Sequence, residues 1–397
     1  MRILAIETSC DETAVSIVDA DGAFPNATYT VLGNALRSQV EAHRHYGGVF
    51  PSLGKREHAG ALVPLLREVV VEAELPRTPG IELTEALTNE LTELLARESG
   101  LADALITFHR KYGRLEIDRI AVTSGPGLEP ALWVGINFAK ALARLWHVPV
   151  IPVNHLEGHL LASVFDHEHD DQLTPVNFPA VGLIISGGHT ELLLIKEWGH
   201  YEKLGQTRDD AVGEAYDKVA RLLGLPYPGG PEIAARAARA RRAKLSMFSE
   251  LTPPMLDSGD LDLSFSGLKT AVRYAIADRA LTEDETAALA RDFEDAVTTA
   301  LVAKTTAALA QAGARTLIVG GGVSANQHLK RALEATVLTA YPDVPVYTPG
   351  PGLATDNSLM IALAGHARAE SALAPAEVGL LRAEGNKQHR RVPLGEW

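Results

Sequence analysis

Val181–Ile195 reads VGLIISGGHTELLLI: an apolar run, a Ser-Gly-Gly-His-Thr turn, then a second apolar run. Arg2–Val18, RILAIETSCDETAVSIV, has the same shape, with Thr8–Thr13 as its polar turn. Each stretch predicts a strand, a tight loop and an antiparallel strand. A second pair of segments also recurs. Ile120–Val122 leads into SGPGLEPALWVG and a helical pattern ending in KALARL, and Leu317–Val319 leads into GGGVSAN and a helical pattern through Leu329 and Leu333. Both read as strand, glycine loop, helix. The order hairpin, then strand–glycine loop–helix, therefore occurs twice, which is the mark of a duplicated architecture. Alternating strands and helices predict α/β lobes with helices packed on mixed sheets.

Working outward, the expected division is a first lobe over 1–150 and a second over 151–356. The first is interrupted by a helical insertion at 72–114, where Leu83, Leu87, Leu91, Leu94 and Leu95 keep helical spacing. A C-terminal helix within 357–385 is expected to pack back on the first lobe. Asp166–Pro175, DHEHDDQLTP, reads as an exposed acidic loop. Two such lobes predict a cleft for nucleotide and metal. The layout is similar to that of the actin, sugar-kinase and Hsp70 class, an analogy of fold that does not identify the reaction.

The chain has 397 residues, 46% of them hydrophobic and 22% charged, enough for a sizeable core. It holds no apolar stretch of membrane-spanning length. Its single cysteine, Cys10, excludes an internal disulfide and suits a reducing, cytoplasmic setting. The net charge of −13 gives no general attraction for nucleic acid. Contact with RNA would need a local patch or a partner protein. Arg236, Arg239, Arg241, Arg242 and Lys244 form one basic run, and Lys387, His389, Arg390 and Arg391 another. Each equally suits a solvated helix face or tail.

Three loops have the composition of ligand cradles. In Ser186-Gly187-Gly188-His189-Thr190, two glycines let backbone amides approach an anion, and hydroxyls add donors. Thr8–Thr13 carries hydroxyls, including Ser9, together with Asp11 and Glu12, and suits a metal-linked phosphate or a polar acyl group. Gly320-Gly321-Gly322 follows a strand and precedes a helix, a setting for a base, ribose or phosphate. Asn326 beyond it is positioned to hydrogen-bond an adenosine. Plain tight turns fit all three loops as well.

Asn154-His155-Leu156-Glu157-Gly158-His159 opens a helix, with Asn154 as N-cap and Glu157 three residues on, as in a capping box. His155 and His159 then fall one turn apart on one face, a spacing that lets two imidazoles share a metal. Two unrelated surface or capping histidines fit the same spacing. Asp356, in Thr355-Asp356-Asn357 before the helical run SLMIALAGHA, is either an N-cap or a third ligand. Two His and one Asp with open positions suit Fe²⁺ or Zn²⁺ as a Lewis acid. No glutamate follows His155 directly, so the pattern is not that of the HExxH peptidases.

The strings ETSCDET (Glu7–Thr13), GPGL (Gly125–Leu128), NHLEGH (Asn154–His159), SGGHTEL (Ser186–Leu192), GEAYDKVARLLGLPYPGGP (Gly213–Pro231), LSFSGLKTA (Leu263–Ala271), GGGVSAN (Gly320–Asn326) and TDN (Thr355–Asn357) jointly resemble the tRNA N6-adenosine threonylcarbamoyltransferase family. They occur in that family's order. The resemblance implies an actin-like (ASKHA) fold. It implies transfer of a threonylcarbamoyl group from threonylcarbamoyl-AMP to N6 of adenosine 37, in tRNAs reading ANN codons. It implies that His155, His159 and Asp356 bind one divalent metal, Fe²⁺ ahead of Zn²⁺. It implies that Ile184, Ile185, Ser186, Gly187, Gly188, Asp217, Gly230 and Asn326 contact the adenylate. Ser9, Gly321 and Gly322 are added from the loops that hold them. Asp11 or Glu12 would take the proton from N6 or orient the amine. Implied partners are tRNA, a paralogous actin-like protein, a small P-loop ATPase and, upstream, the threonylcarbamoyl-AMP synthase. An ASKHA kinase, a metal-dependent peptidase and a nucleotide-binding scaffold are the rival readings.

Overall fold

A computed structural model describes residues 1–46, 48–76, 82–277 and 279–385. Two compact units emerge. One is built mainly from 1–43, 49–174 and the chain after Thr355, the other mainly from 175–354.

The first unit opens with the hairpin β1 (Arg2–Glu7) and β2 (Glu12–Asp21), extended by β3 (Thr28–Ser38). Helices α1 (Val40–Arg44), α2 (Pro51–Glu72), α3 (Glu85–Leu94) and α4 (Leu101–Tyr112) follow. Then come β4 (Arg119–Gly125), α5 (Glu129–Trp146), β5 (Val150–Asn154), α6 (His155–Ser163) and the two-residue strands β6 (Phe165–Asp166) and β7 (Gln172–Leu173). The sheet runs β5-β4-β1-β2-β3-β7-β6. β1 pairs antiparallel with β2 and parallel with β4, and β4 pairs parallel with β5. The strands are near-continuous apolar runs because helices cover the sheet. Trp146, Phe138, Leu62 and Leu66 are fully buried in one core, and Leu91 and Leu95 of the insertion join it. The insertion's helices α3 and α4 are therefore packed on this core.

The second unit contains β8 (Ala180–Ile185), β9 (Thr190–Glu197), β10 (His200–Gln206), α7 (Val212–Leu222), α8 (Gly229–Ala243), α9 (Ser266–Ile276), α10 (Glu283–Ala312), β11 (Thr316–Gly320), α11 (Gln327–Ala340) and β12 (Val346–Tyr347). Its sheet order is β10-β9-β8-β11-β12. β8 pairs antiparallel with β9 and parallel with β11, and β11 pairs parallel with β12. This repeats β3-β2-β1-β4-β5 of the first unit strand for strand. The 30-residue α10 starts at a full capping box, Thr282 with Glu285. It buries Phe293 against Tyr216 and the rest of a second core.

After Thr355 the chain returns to the first unit, and α12 (Ser358–Ala367) packs on α6, β1 and β2. Two sequence expectations change. The division falls near residue 174 and not at 150, because β5, β6 and β7 all belong to the first sheet. The acidic loop Asp166–Pro175 contains the β6–β7 hairpin, with His167 and His169 exposed and paired to Asp171 and Asp166. Within the first basic run, Arg236 pairs with Glu232, Arg239 with Asp284, and Arg241 with Glu294 and Asp295. Much of that positive charge is therefore neutralised at home. The second run lies outside the described residues.

Candidate metal centre and nucleotide loops

The candidate metal centre lies wholly in the first unit. Asn154 ends β5 and its Oδ1 accepts from the Leu156 and Glu157 amides at 2.8 and 3.3 Å, which starts α6 at once. His155 and His159 then sit a turn apart, with ring centroids 4.7 Å from each other. Glu157 is buried and accepts from Arg368 Nε at 2.9 Å. Asn357, not Asp356, caps α12, accepting from the Met360 amide. That frees the Asp356 carboxylate, whose Oδ1 is 3.4 Å from His155 Nε2 and 3.1 Å from His159 Nε2.

The electrostatics follow from burial and from two carboxylates. Burial opposes charge on His155, but Asp356 and Glu7 outweigh it and push the imidazole up to about 10. Burial lowers His159. For Asp356, burial opposes ionisation, yet the two imidazoles hold the carboxyl well below the usual range. His159 is fully buried, and neither ring nitrogen makes an aligned hydrogen bond despite the nearby Asp356. A buried polar atom left so is costly unless another partner takes its lone pair. Among the described residues, these three offer ligand atoms within 4.8 Å of one another. Two imidazole nitrogens and one carboxylate oxygen fit a divalent cation of the Fe²⁺ or Zn²⁺ type.

Asp11 lies on the β1–β2 turn and Glu12 opens β2. Burial, then Asp11, then Asp356 push Glu12 up to about 10, and Asp11 and Glu12 share a hydrogen bond. Glu12 Oε1 also accepts from Ser38 Oγ. Sequence reasoning missed His58, which is fully buried on α2. Its Nδ1 lies 2.8 Å from Thr13 Oγ1, and its Nε2 lies 3.0 Å from the Cys10 carbonyl, so it holds this turn from both ends. Sequence reasoning also missed Glu7, a carboxylate closing an otherwise apolar strand. Ser9 is buried with its Oγ 3.3 Å from His155 Nδ1.

The Ser186–Thr190 and Gly320–Gly322 loops belong to the second unit. Ser186 N is engaged in closing its own turn, donating to the His189 carbonyl, while Ser186 O accepts from Gly213 N. Gly187 and Gly188 are exposed, whereas Ile184 and Ile185 are buried strand residues. Asp217 Oδ1 accepts from Gly229 N at 2.7 Å and so ties α7 to the start of α8 beside Gly230. Gly321 has φ +91°, and a Cβ there would lie 2.5 Å from Ile185 O. Only glycine lets β8 and the Gly320–Gly322 loop approach this closely. Asn326 Oδ1 caps α11 through the His328 and Leu329 amides, and its Nδ2 donates to the buried Glu294. Its first role is therefore structural.

Two units with the same five-strand order and matching loops define a duplicated actin-like α/β protein. In the first of them His155, His159 and Asp356 bring ligand atoms together. Residues 103–363 match the family described as tRNA N6-adenosine threonylcarbamoyltransferase. The protein of that name from Aromatoleum aromaticum is 41% identical over 396 residues, covering all of this chain and 98% of its own. That from Burkholderia mallei is 42% identical over 375 residues, covering 93% and 92%. The chain belongs to this transferase family. Among solved structures, a T. kodakarensis HypF is similar at TM-score 0.48 and 15% identity, over 68% of this chain and 42% of that one. The fold assignment rests on the strand order and not on that likeness.

Proposed function

We propose that the chain transfers a threonylcarbamoyl group from threonylcarbamoyl-AMP to N6 of adenosine 37 in tRNAs reading ANN codons. Family membership supports the reaction class, and it favours neither a kinase nor a peptidase. The observation that carries the metal part is the convergence of His155, His159 and Asp356. We propose that they hold one divalent cation, Fe²⁺ first and Zn²⁺ second. Bound there, the cation would supply Lewis-acid stabilisation of charge on donor oxygens.

The chain's own residues do the remaining work. The donor is a mixed anhydride with a good leaving group, and the adenine amine is a weak nucleophile. Positioning and charge stabilisation therefore supply most of the rate. The exposed Gly187 and Gly188 amides are assigned to the phosphate, now without Ser186 N. Ile184, Ile185, Gly230, Gly321 and Gly322 are assigned to the walls of the adenylate site, where backbone approaches closely. Asp217 and Asn326 hold those loops in place, and Ser9 lies behind the metal ligands. Glu12, pushed up to about 10, is a hydrogen-bond donor at neutral pH. The role of accepting the N6 proton then goes to Asp11.

The tRNA is the acceptor, and the net charge of −13 leaves the chain in need of help to hold it. We assign that help to a paralogous actin-like partner and a small P-loop ATPase, with a threonylcarbamoyl-AMP synthase supplying the donor in the cytoplasm. Among the described residues no helix is long and apolar enough to cross a membrane. The test is incubation of the chain and these partners with bicarbonate, threonine, ATP, the synthase and tRNA, then digestion to nucleosides. Threonylcarbamoyl-modified adenosine is expected. Its absence beside a competent control enzyme, with ATP turnover on a sugar alone, would favour the kinase reading instead.

A further inference from the structure

Glu7 is the last residue of β1, an otherwise apolar strand, and it is fully buried. Burying a carboxylate costs several kcal/mol unless it is well paired, so packing alone does not explain one here. Its two oxygens are used by three elements. Oε1 accepts from the Ser9 amide at 2.5 Å. Oε2 accepts from Thr123 Oγ1 of β4 at 2.6 Å and lies 3.1 Å from His155 Nδ1 on α6.

We infer that Glu7 is a positioning residue for the metal centre, holding the His155 ring by Nδ1 so that Nε2 faces Asp356 and His159. The inference rests on the metal reading given above. A carboxylate on one imidazole nitrogen fixes the tautomer, aims the other lone pair and raises its basicity. Among the described residues, His159 Nδ1 has no hydrogen-bond partner, so a carboxylate holds only the His155 ring of the pair.

The rival is that Glu7 merely staples the β1–β2 turn to β4 through Ser9 and Thr123. Co²⁺ affinity of the full chain, measured against a competing chelator with the visible absorption of the bound ion, separates the two. Glu7→Gln keeps the size and removes the charge. It is expected to weaken Co²⁺ binding about ten- to a hundredfold and to alter the absorption bands. Thr123→Val removes the staple and leaves the Glu7–His155 contact, and it should stay within about threefold of wild type, far short of the loss on neutralising Glu7. Wild-type affinity in Glu7→Gln, or equal weakening in Thr123→Val, would overturn the inference while leaving the metal reading intact. A wild-type chain that binds no Co²⁺ would sink both. If Glu7→Gln does not fold, imidazole ¹⁵N spectra of the Zn²⁺-loaded wild-type chain decide. The His155 proton on Nδ1 with the metal on Nε2 is expected, and the reverse assignment overturns the inference.

Discussion

Gly321→Ala tests the glycine loop where its geometry is tightest. Gly321 has φ 91° and ψ 160°, a region essentially reserved for glycine. Placing a side chain there costs about 1–3 kcal/mol in backbone strain. The new Cβ would also sit 2.5 Å from Ile185 O and 2.8 Å from Ile185 C. Both are backbone atoms and cannot rotate aside. Such overlap adds about 1–3 kcal/mol, giving roughly 2–6 kcal/mol in all. At about 2–4 °C per kcal/mol for a unit this large, the melting temperature should fall on the order of 5–20 °C. Relief comes only by parting the loop from β8, which pairs with β11 up to Ile184–Gly320. Affinity for a non-hydrolysable threonylcarbamoyl-adenylate should therefore fall at least about tenfold, since each 1.4 kcal/mol lost is tenfold. Metal binding should not change, because its three proposed ligands belong to the first unit. Calorimetric melting, ligand titration and metal analysis on one preparation give all three values. An alanine variant that melts and binds the adenylate like wild type would refute this reading of the loop.

Other outcomes follow from the charges. Because His155 is held up near 10, cation binding at Nε2 must displace a proton at neutral pH. Affinity for Zn²⁺ should therefore rise up to about tenfold per pH unit below 10. Titration in buffers of different ionisation enthalpy should report close to one proton released, and none released would contradict it. Stability of the metal-free chain runs the opposite way. A raised histidine stabilises fully below its ordinary 6.5, and that contribution fades as pH rises through about 10. Melting of chelated protein across that window checks the sign. Glu12→Gln should keep single-turnover transfer within about tenfold, whereas Asp11→Asn should lose the 10²–10⁴-fold typical of a general base. The opposite ranking would exchange their roles. Arg241→Ala strands the buried Glu294 carboxylate and should destabilise by about 2–3 kcal/mol, discounted for the partial exposure of the arginine. Arg242→Ala, at an exposed position, should barely move the melting curve. Equal losses of tRNA affinity without destabilisation in both would restore the basic run as an RNA contact.

The fold was legible where local pattern and tertiary role agree. Apolar runs around polar turns predicted both hairpins, and glycine after an apolar strand predicted both strand–loop–helix units. His155 and His159 were legible because helix geometry fixes an i, i+4 pair. Asp356 stayed ambiguous until Asn357 proved to be the cap. Long-range pairing hid the rest. Nothing local tells that Phe165–Leu173 continues the first sheet. Ser186 looked like an amide donor for phosphate, but its N–H closes its own turn. Arg241 looked like free positive charge, yet its carboxylate partners lie 53 and 54 residues away. Glu7 had a signal, a lone acid ending the run Ile3–Ile6, that gains meaning only when His155 is seen against it.

Asp356 is the proposed ligand brought from far along the chain, and the metal centre cannot form without it. Metal content and single-turnover transfer to tRNA, measured side by side for wild type and Asp356→Asn, test it. One divalent ion per wild-type chain is predicted, with the ion and the modified adenosine both lost in the variant. An asparagine variant that transfers at the wild-type rate, or that retains its full metal content, would contradict it.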